Sequence, residues 1–371
     1  MPNKLGAASY FQPWRSQRGT TRQGEDRVDW QALAVLWAAC AVVFTLVVGR
    51  YANQLGRVLG LLDFPDLAGG RKRHDGVTPL IGGSALAPAV IVATLLTAQY
   101  LADSPYAAAQ LEWLAGVVLA MFVIGVADDR FALGAIIRLI SAMIVLLLVI
   151  LYAPDFDIAF LRFAMQPAVV LTANWGEAFT LVCLVGLLNA VNMADGKNGV
   201  VIGLGLIWSV VLWFRLPPMM LPIVATAIGA LAVLFWFNLR GRLFLGDGGS
   251  YAISALFGLL AIAAYNHDFA TVRADDIAVM FAIPVFDTIR LMAVRLRQRR
   301  SPFEGDRNHL HHHLHRRFGW PRGLWIYLLL AGLPNLGAVL LPHTGYLWLF
   351  LSFIGYLLVF RLARHLEPVP A

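Results

Sequence analysis

The chain has 371 residues, 59% of them hydrophobic and 14% charged, with a net charge of +7 and a mean hydropathy of +0.69. Soluble chains are about 45–50% apolar and about 25% charged, so an ordinary water-soluble domain is excluded. The apolar excess is gathered into blocks of about 18–22 residues, the length a helix needs to cross the hydrocarbon of a bilayer. The composition therefore predicts an all-α polytopic membrane protein.

In chain order, residues 1–29 are polar and lack the short apolar core of a cleaved signal peptide. They are expected to form a mobile tail ahead of a single membrane domain over 30–371. Eleven spans are predicted, near Trp30–Gly49, Leu80–Gln99, Leu111–Ala127, Ala132–Tyr152, Gly176–Met193, Gly199–Phe214, Met219–Phe237, Gly249–Tyr265, Ile277–Leu296, Leu324–Leu341 and Gly345–Leu362. Breaker residues mark several joints: "YAPD" at 152–155, "LPPMM" at 216–220 and "LPHTGY" at 341–346. Cys40 and Cys183 lie within apolar blocks, without polar neighbours to activate them, and read as buried structural thiols.

Lys and Arg are asymmetric between alternate loops. Loops 50–79, 128–131, 194–198, 238–248 and 297–323 carry 16, whereas the intervening loops carry only Arg162, Arg215 and Arg273. The positive-inside rule places the first set in the cytoplasm, with the N-terminus outside and the C-terminus inside. The tail's five basic residues run against its export. The polar motifs "ADDR", "NMADGKNG", "FLGDGGS" and "NHLHHHLHRR" all fall on the same predicted cytoplasmic side.

Asp128 and Asp129 end an apolar run. Taken alone, the plainer account is a solvated helix end with Arg130 as partner; the functional one is a divalent-cation site, because hard ions take carboxylate oxygens and work with phosphates. In "LLNAVNMADGKNGV", Asn189 and Asn192 are three apart and share a helix face, followed by Asp195 and a glycine turn. Amides that both donate and accept suit a nucleobase or sugar, while a capped Gly-rich turn accounts for the same residues equally well. Asp247 sits among glycines at the start of an apolar helix, as a cap or beside an anion site. Arg240 and Arg242, just upstream, suit phosphate or anionic lipid.

The segment 306–317 holds five of the nine histidines, including His309, His311, His312 and His313, with Arg307, Arg316 and Arg317. Neither a thiol nor a regular ligand spacing supports zinc; imidazoles beside arginine suit phosphate binding and proton exchange. Asp287 lies inside an apolar span, where an acid costs roughly 2.5–3.5 kcal/mol; Arg290, three residues on, offers an internal ion pair. Arg71, Lys72, Arg73 and His74 form a basic loop that reads as a positive-inside anchor or a nucleotide-phosphate contact.

The order and spacing of these motifs, from "GLLDFPD" near residue 60 to "HLHHHL" near 314, resemble the polyprenyl-phosphate N-acetylhexosamine-1-phosphate transferase family. The resemblance implies transfer of a sugar 1-phosphate from a UDP-N-acetylhexosamine to undecaprenyl phosphate, releasing UMP, in the bacterial cytoplasmic (inner) membrane. It further implies a requirement for Mg²⁺ or Mn²⁺. Asp128, Asp129 and Asp247 match the family's metal-associated acids, and Asn189, Asn192 and Asp195 its central nucleotide and active-site motif. Asn238 and Phe244 match uridine-contacting positions. His309, His311 and His312 match the histidine motif, with Arg307 beside it at the diphosphate. The family's frequent second aspartate of the central motif is Asn198 here, after an unusual Lys197.

"RKRHDGVTPLIGG", "DRNHLHH" and eleven spans resemble the N-acetylglucosamine-1-phosphate branch that primes O-antigen or related polysaccharides; the muramoyl-pentapeptide branch is the alternative. Related N-acetylhexosamines remain open as the sugar. An ion-coupled transporter is the competing class, but coupling acids usually lie near the midplane on broken helices, whereas these motifs are juxtamembrane. No nucleic-acid partner is expected. The apolar span surfaces serve lipid, a polyprenyl groove or a second copy in a homodimer equally well.

Overall fold

The computed structural model describes residues 28–64, 76–166, 168–172, 175–268, 270–301 and 308–365. Nearly all of the predicted tail, the basic residues 71–74, and Arg307 lie outside the described residues.

The described chain is a bundle of helices. It runs α1 (Trp30–Arg50), α2 (Ala52–Leu59), α3 (Gly82–Gln99), α4 (Pro105–Phe131), α5 (Ala135–Tyr152), α6 (Gly176–Ala194) and α7 (Val200–Trp213). It continues with α8 (Leu221–Leu239), α9 (Gly246–His267), α10 (Ala274–Arg297), α11 (Leu310–Phe318), α12 (Arg322–Leu340) and α13 (Gly345–His365). Ten of these are long and apolar enough to cross a membrane, and α7 is a shorter apolar helix of 14 residues. Together they correspond to the eleven predicted blocks. Two small antiparallel hairpins close the ends: β1 (Leu62–Asp63) with β2 (Thr78–Pro79), and β3 (Phe160–Leu161) with β4 (Val170–Leu171).

Local chemistry explains several boundaries. Asp29 caps α1 by accepting from the N–H groups of Gln31 and Ala32, both at 3.0 Å. Ser104 and Pro105 start α4, with Pro at the first position, where its missing N–H costs nothing. Two helices extend a few residues beyond the predicted spans. Helix α4 continues past Ala127 to Phe131, and α9 begins at Gly246 rather than Gly249. Asp128, Asp129 and Asp247 are therefore helical residues in terminal turns, because each finds partners there.

Helix α9 is the axis of the bundle. Its residues from Gly248 to Asn266 are all buried, and it packs against α3, α4, α6 and α7. Its sequence, rich in Gly, Ala and Ser, lets neighbouring backbones approach closely, which drives helix association in lipid. At Gly125 of α4 the approach is so close that a Cβ would overlap the backbone carbonyl of Asp247. One hydrophobic cluster joins α1 to α13, from Ala41 to Ala363. The outer surface is apolar too: Cys40 and Cys183 are exposed, not buried as the sequence suggested. In a membrane protein an apolar neighbourhood does not distinguish a core from a lipid-facing wall.

Candidate active site

The acids that are distant in sequence meet at one end of the bundle. Helix α4 delivers Asp128 and Asp129 in its last turn, α9 delivers Asp247 in its first, and Asp195 follows the last residue of α6. The adjacent pair divides its labour. Asp129 accepts from the Asp247 N–H through Oδ1 (3.0 Å) and from the Gly248 N–H through Oδ2 (3.1 Å). A carboxylate at a helix N-terminus satisfies otherwise orphaned donors and complements the helix dipole. Asp128, only 6% exposed, instead receives Arg138 Nη1 at 2.5 Å. The same guanidinium lies 3.9 Å from Asp247 Oδ2. Arg138, in the first turn of α5, therefore sits between two carboxylates.

Arg138 is not among the residues the sequence singles out; Arg130 is the partner expected there. Arg130 is exposed and donates to the Gly60 carbonyl at 3.4 Å. The signal that points to Arg138 is an arginine at the seventh residue of an otherwise apolar predicted span, where a charge usually has a partner. Asp63 on β1 is a further acid within electrostatic reach of Asp129.

The central motif joins this centre. Asn192 donates to Asp247 Oδ1 at 2.6 Å and to Ser250 Oγ at 3.2 Å, so its amide orients an acid. Asn189 donates within its own helix to the Val185 carbonyl. Burial, with the charges of Asp247 and Asp129 added, holds the Asp195 carboxyl well above the usual carboxylate range. Asn238 does not present itself for a base. It is buried, its Oδ1 accepts from Gly199 N–H at 2.6 Å, and its Nδ2 donates to the Leu243 carbonyl at 3.0 Å. Its amide braces the turn ahead of Asp247 against the start of α7. Phe244 lies half-buried on that turn, its backbone tied to Pro79 and Gly82.

Histidines complete the wall. Helix α11 is docked by Asp287, which accepts from the Leu310 N–H (3.1 Å), Tyr356 Oη (2.9 Å) and Arg290 Nη2 (3.0 Å). His309 Nδ1 lies 2.9 Å from Asp287 Oδ2. An ionised carboxylate only accepts, so Nδ1 is the donor in this contact. The predicted Asp287–Arg290 ion pair is thus present, within a larger anchor. His309, His311 and His312 cluster, with ring centroids 5.4 Å apart for His309–His311 and 4.3 Å for His311–His312. His311 is 1% exposed, and neither ring nitrogen has a hydrogen-bond partner. It packs on Gly196, where a Cβ would overlap its imidazole, directly beside Asp195. Burial, then the neighbouring imidazoles of His312 and His309, push its pKa well below the usual value. It is therefore neutral at neutral pH and unpaired, packed on the glycine that follows Asp195. His313 turns away to Asn308 and Phe360.

The three-aspartate ion site expected from the resemblance is not assembled as such. Among the described residues no three acidic, His or Cys groups meet closely enough to share one ion. Both Asp129 oxygens cap α9, and Arg138 Nη1 lies within ion-pair distance of both Asp128 and Asp247. The donor chemistry still suits Mg²⁺, which binds through one or two carboxylates plus substrate phosphates. Asp128 and Asp247 are the pair that fits.

Fold and site together define a multi-pass membrane protein with a polar centre of carboxylates, a guanidinium and imidazoles at one end of its bundle. Residues 111–265, which include Asp128, Asp129, Asp195 and Asp247, match Glycosyl transferase family 4. The undecaprenyl-phosphate alpha-N-acetylglucosaminyl 1-phosphate transferase of Yersinia pestis is 30% identical over 84% of this chain and 83% of its own length. That of Escherichia coli (strain K12) is 28% identical over 86% and 87%. A probable undecaprenyl-phosphate N-acetylglucosaminyl 1-phosphate transferase of Bacillus subtilis (strain 168) is 24% identical over 86% of each. The chain belongs to this glycosyl transferase family.

Proposed function

We propose that this enzyme transfers N-acetylglucosamine 1-phosphate from UDP-N-acetylglucosamine to undecaprenyl phosphate, yielding the lipid diphosphate sugar and UMP. The observation that carries the reading is the convergence of Asp128, Asp129, Asp195 and Asp247 at one end of the bundle, with Arg138 joining Asp128 and Asp247 and His311 packed on Gly196. The names of the relatives support the sugar and the acceptor. The 16-to-3 distribution of Lys and Arg supports placing this end in the cytoplasm of a bacterial inner membrane, where a nucleotide sugar is available. The product is the lipid-linked first sugar of a cell-envelope polysaccharide such as an O-antigen.

In this reading an oxygen of the lipid phosphate attacks the sugar-bearing phosphorus, the bond to the UMP oxygen breaks, and UMP carries that electron pair away. The acceptor is already an anion, so positioning and charge stabilisation dominate over proton removal. Arg138 offers phosphates a guanidinium held by Asp128 and Asp247. Asp129 fixes α9 and hence the Asp247 carboxylate; Asn192 fixes its orientation. His311 presents a neutral imidazole beside the glycine that follows Asp195, with His309 stacked on it. A Mg²⁺ ion (or Mn²⁺) held by Asp128 and Asp247 would supply charge neutralisation of the diphosphate. Asp287 is occupied structurally by four donors, two of them, His309 and the Leu310 N–H, at the start of α11.

The test is UMP formation by purified enzyme in proteoliposomes containing undecaprenyl phosphate, given a panel of UDP-sugars with Mg²⁺. UMP from UDP-N-acetylglucosamine above all other donors is expected. Preference for UDP-N-acetylmuramoyl-pentapeptide would reassign the branch, and no UMP from any donor would overturn the reading.

A further inference from the structure

Arg240 and Arg242 remain unused by the reaction, and Arg242 lines a cavity of about 750 Å³ between the last turns of α1 and α8. Leu46 and Val47 of α1 line it together with Arg50, Tyr51, Asn53 and Arg242. Trp236 lines it as well, with the Arg240 guanidinium 4.0 Å and the Arg242 guanidinium 5.5 Å from its ring centroid. Among the described residues no carboxylate lies within ion-pair distance of Arg50 or Arg242. The lining thus combines an apolar helix, an aromatic ring and guanidinium groups, which suit an acyl chain, the interface and a headgroup phosphate.

We infer that this cavity holds the headgroup of an anionic phospholipid, its phosphodiester between Arg50 and Arg242 and its acyl chains along the exposed face of α1 at Val43 and Val47. The occupant is a resident phospholipid rather than the reaction's lipid phosphate, because none of the cavity's residues belongs to the Asp128–Arg138–Asp247 centre. Its floor is the start of the turn that leads to Asp247: Gly241 and Arg242 line it, and Arg242 N–H is bonded to the Phe237 carbonyl. A bound headgroup therefore stiffens that turn from the membrane side. The inference needs only a membrane-embedded chain and does not rest on the proposed reaction.

Native mass spectrometry of the delipidated full chain, supplied with equal amounts of phosphatidylglycerol or phosphatidylcholine, tests it. Wild type is expected to retain one phosphatidylglycerol and to prefer it about ten-fold or more, and the R50Q/R242Q variant to lose about 20-fold in retention, given the attraction each guanidinium exerts on anionic lipid. R50K/R242K should recover most of it, and R364Q, a charge removed from an exposed helix end elsewhere, should change nothing. Equal retention of the two lipids by wild type would overturn the inference, whatever the folding of the variants. So would equal loss in R364Q, or displacement of the phospholipid by an equimolar amount of undecaprenyl phosphate, which would give the cavity to the acceptor.

Discussion

Asp129 engages the first N–H groups of α9 with both oxygens, while its neighbour Asp128 holds a guanidinium. That division answers how two adjacent acids coexist at a helix end: each charge has a different partner, one a helix dipole, the other Arg138. Replacing Asp129 by Ala removes a cap and should cost about 1–2 kcal/mol, read as a lower melting midpoint in detergent. Asp129→Asn, which keeps an acceptor, should recover part of the loss; an unchanged midpoint for Asp129→Ala would contradict the capping role. His311 gives a pH signature. Its folded pKa lies well below the usual value, so on acidification the unfolded chain takes up a proton that the folded chain refuses. Stability should therefore fall as pH drops through about 6.5, the unperturbed histidine value, and His311→Asn should flatten that limb without affecting the alkaline side. Melting midpoints between neutral pH and mild acid check both.

At the scale of elements, the site depends on how closely α4 and α9 approach. Gly125→Ala places a methyl group onto the Asp247 carbonyl, whereas at Gly116, in the same helix, an added methyl group would meet nothing within 4 Å. Gly125→Ala should strip activity and lower the yield of folded protein; Gly116→Ala should be neutral or gain a few tenths of a kcal/mol from helix propensity. Equal behaviour of the two would mean that the close approach is not needed. Spans are readable in the sequence because each is a continuous apolar run bounded by breakers, and the motifs because their polar residues interrupt such runs. What joins them is not readable. Arg138 reaches back across a short loop to Asp128, Asn238 spends its amide on Gly199 and Leu243, and Asp287 meets His309 and Tyr356 through tertiary packing alone. The exposed Cys40 and Cys183 show the same limit, since hydrophobicity does not say which face of a span meets protein.

Over the whole molecule, a buried axial helix rich in small residues carries Asp247 to the end where α4, α6 and α11 deliver their own polar groups. The alternation of helix directions puts every acid of the cluster at one end and leaves Arg162, Arg215 and Arg273 at the other. A bundle of this design exposes apolar walls to lipid while keeping charge at a rim open to a water-soluble donor. The most direct measurement is UMP release by wild type and Asp247→Asn in matched proteoliposomes with UDP-N-acetylglucosamine, undecaprenyl phosphate and Mg²⁺. The convergence of acids predicts a loss of about 10²–10³-fold, the effect of removing one charge-stabilising group from a reaction centre, with the variant still folded by size-exclusion and melting. A folded Asp247→Asn enzyme retaining more than about a tenth of wild-type activity would contradict it.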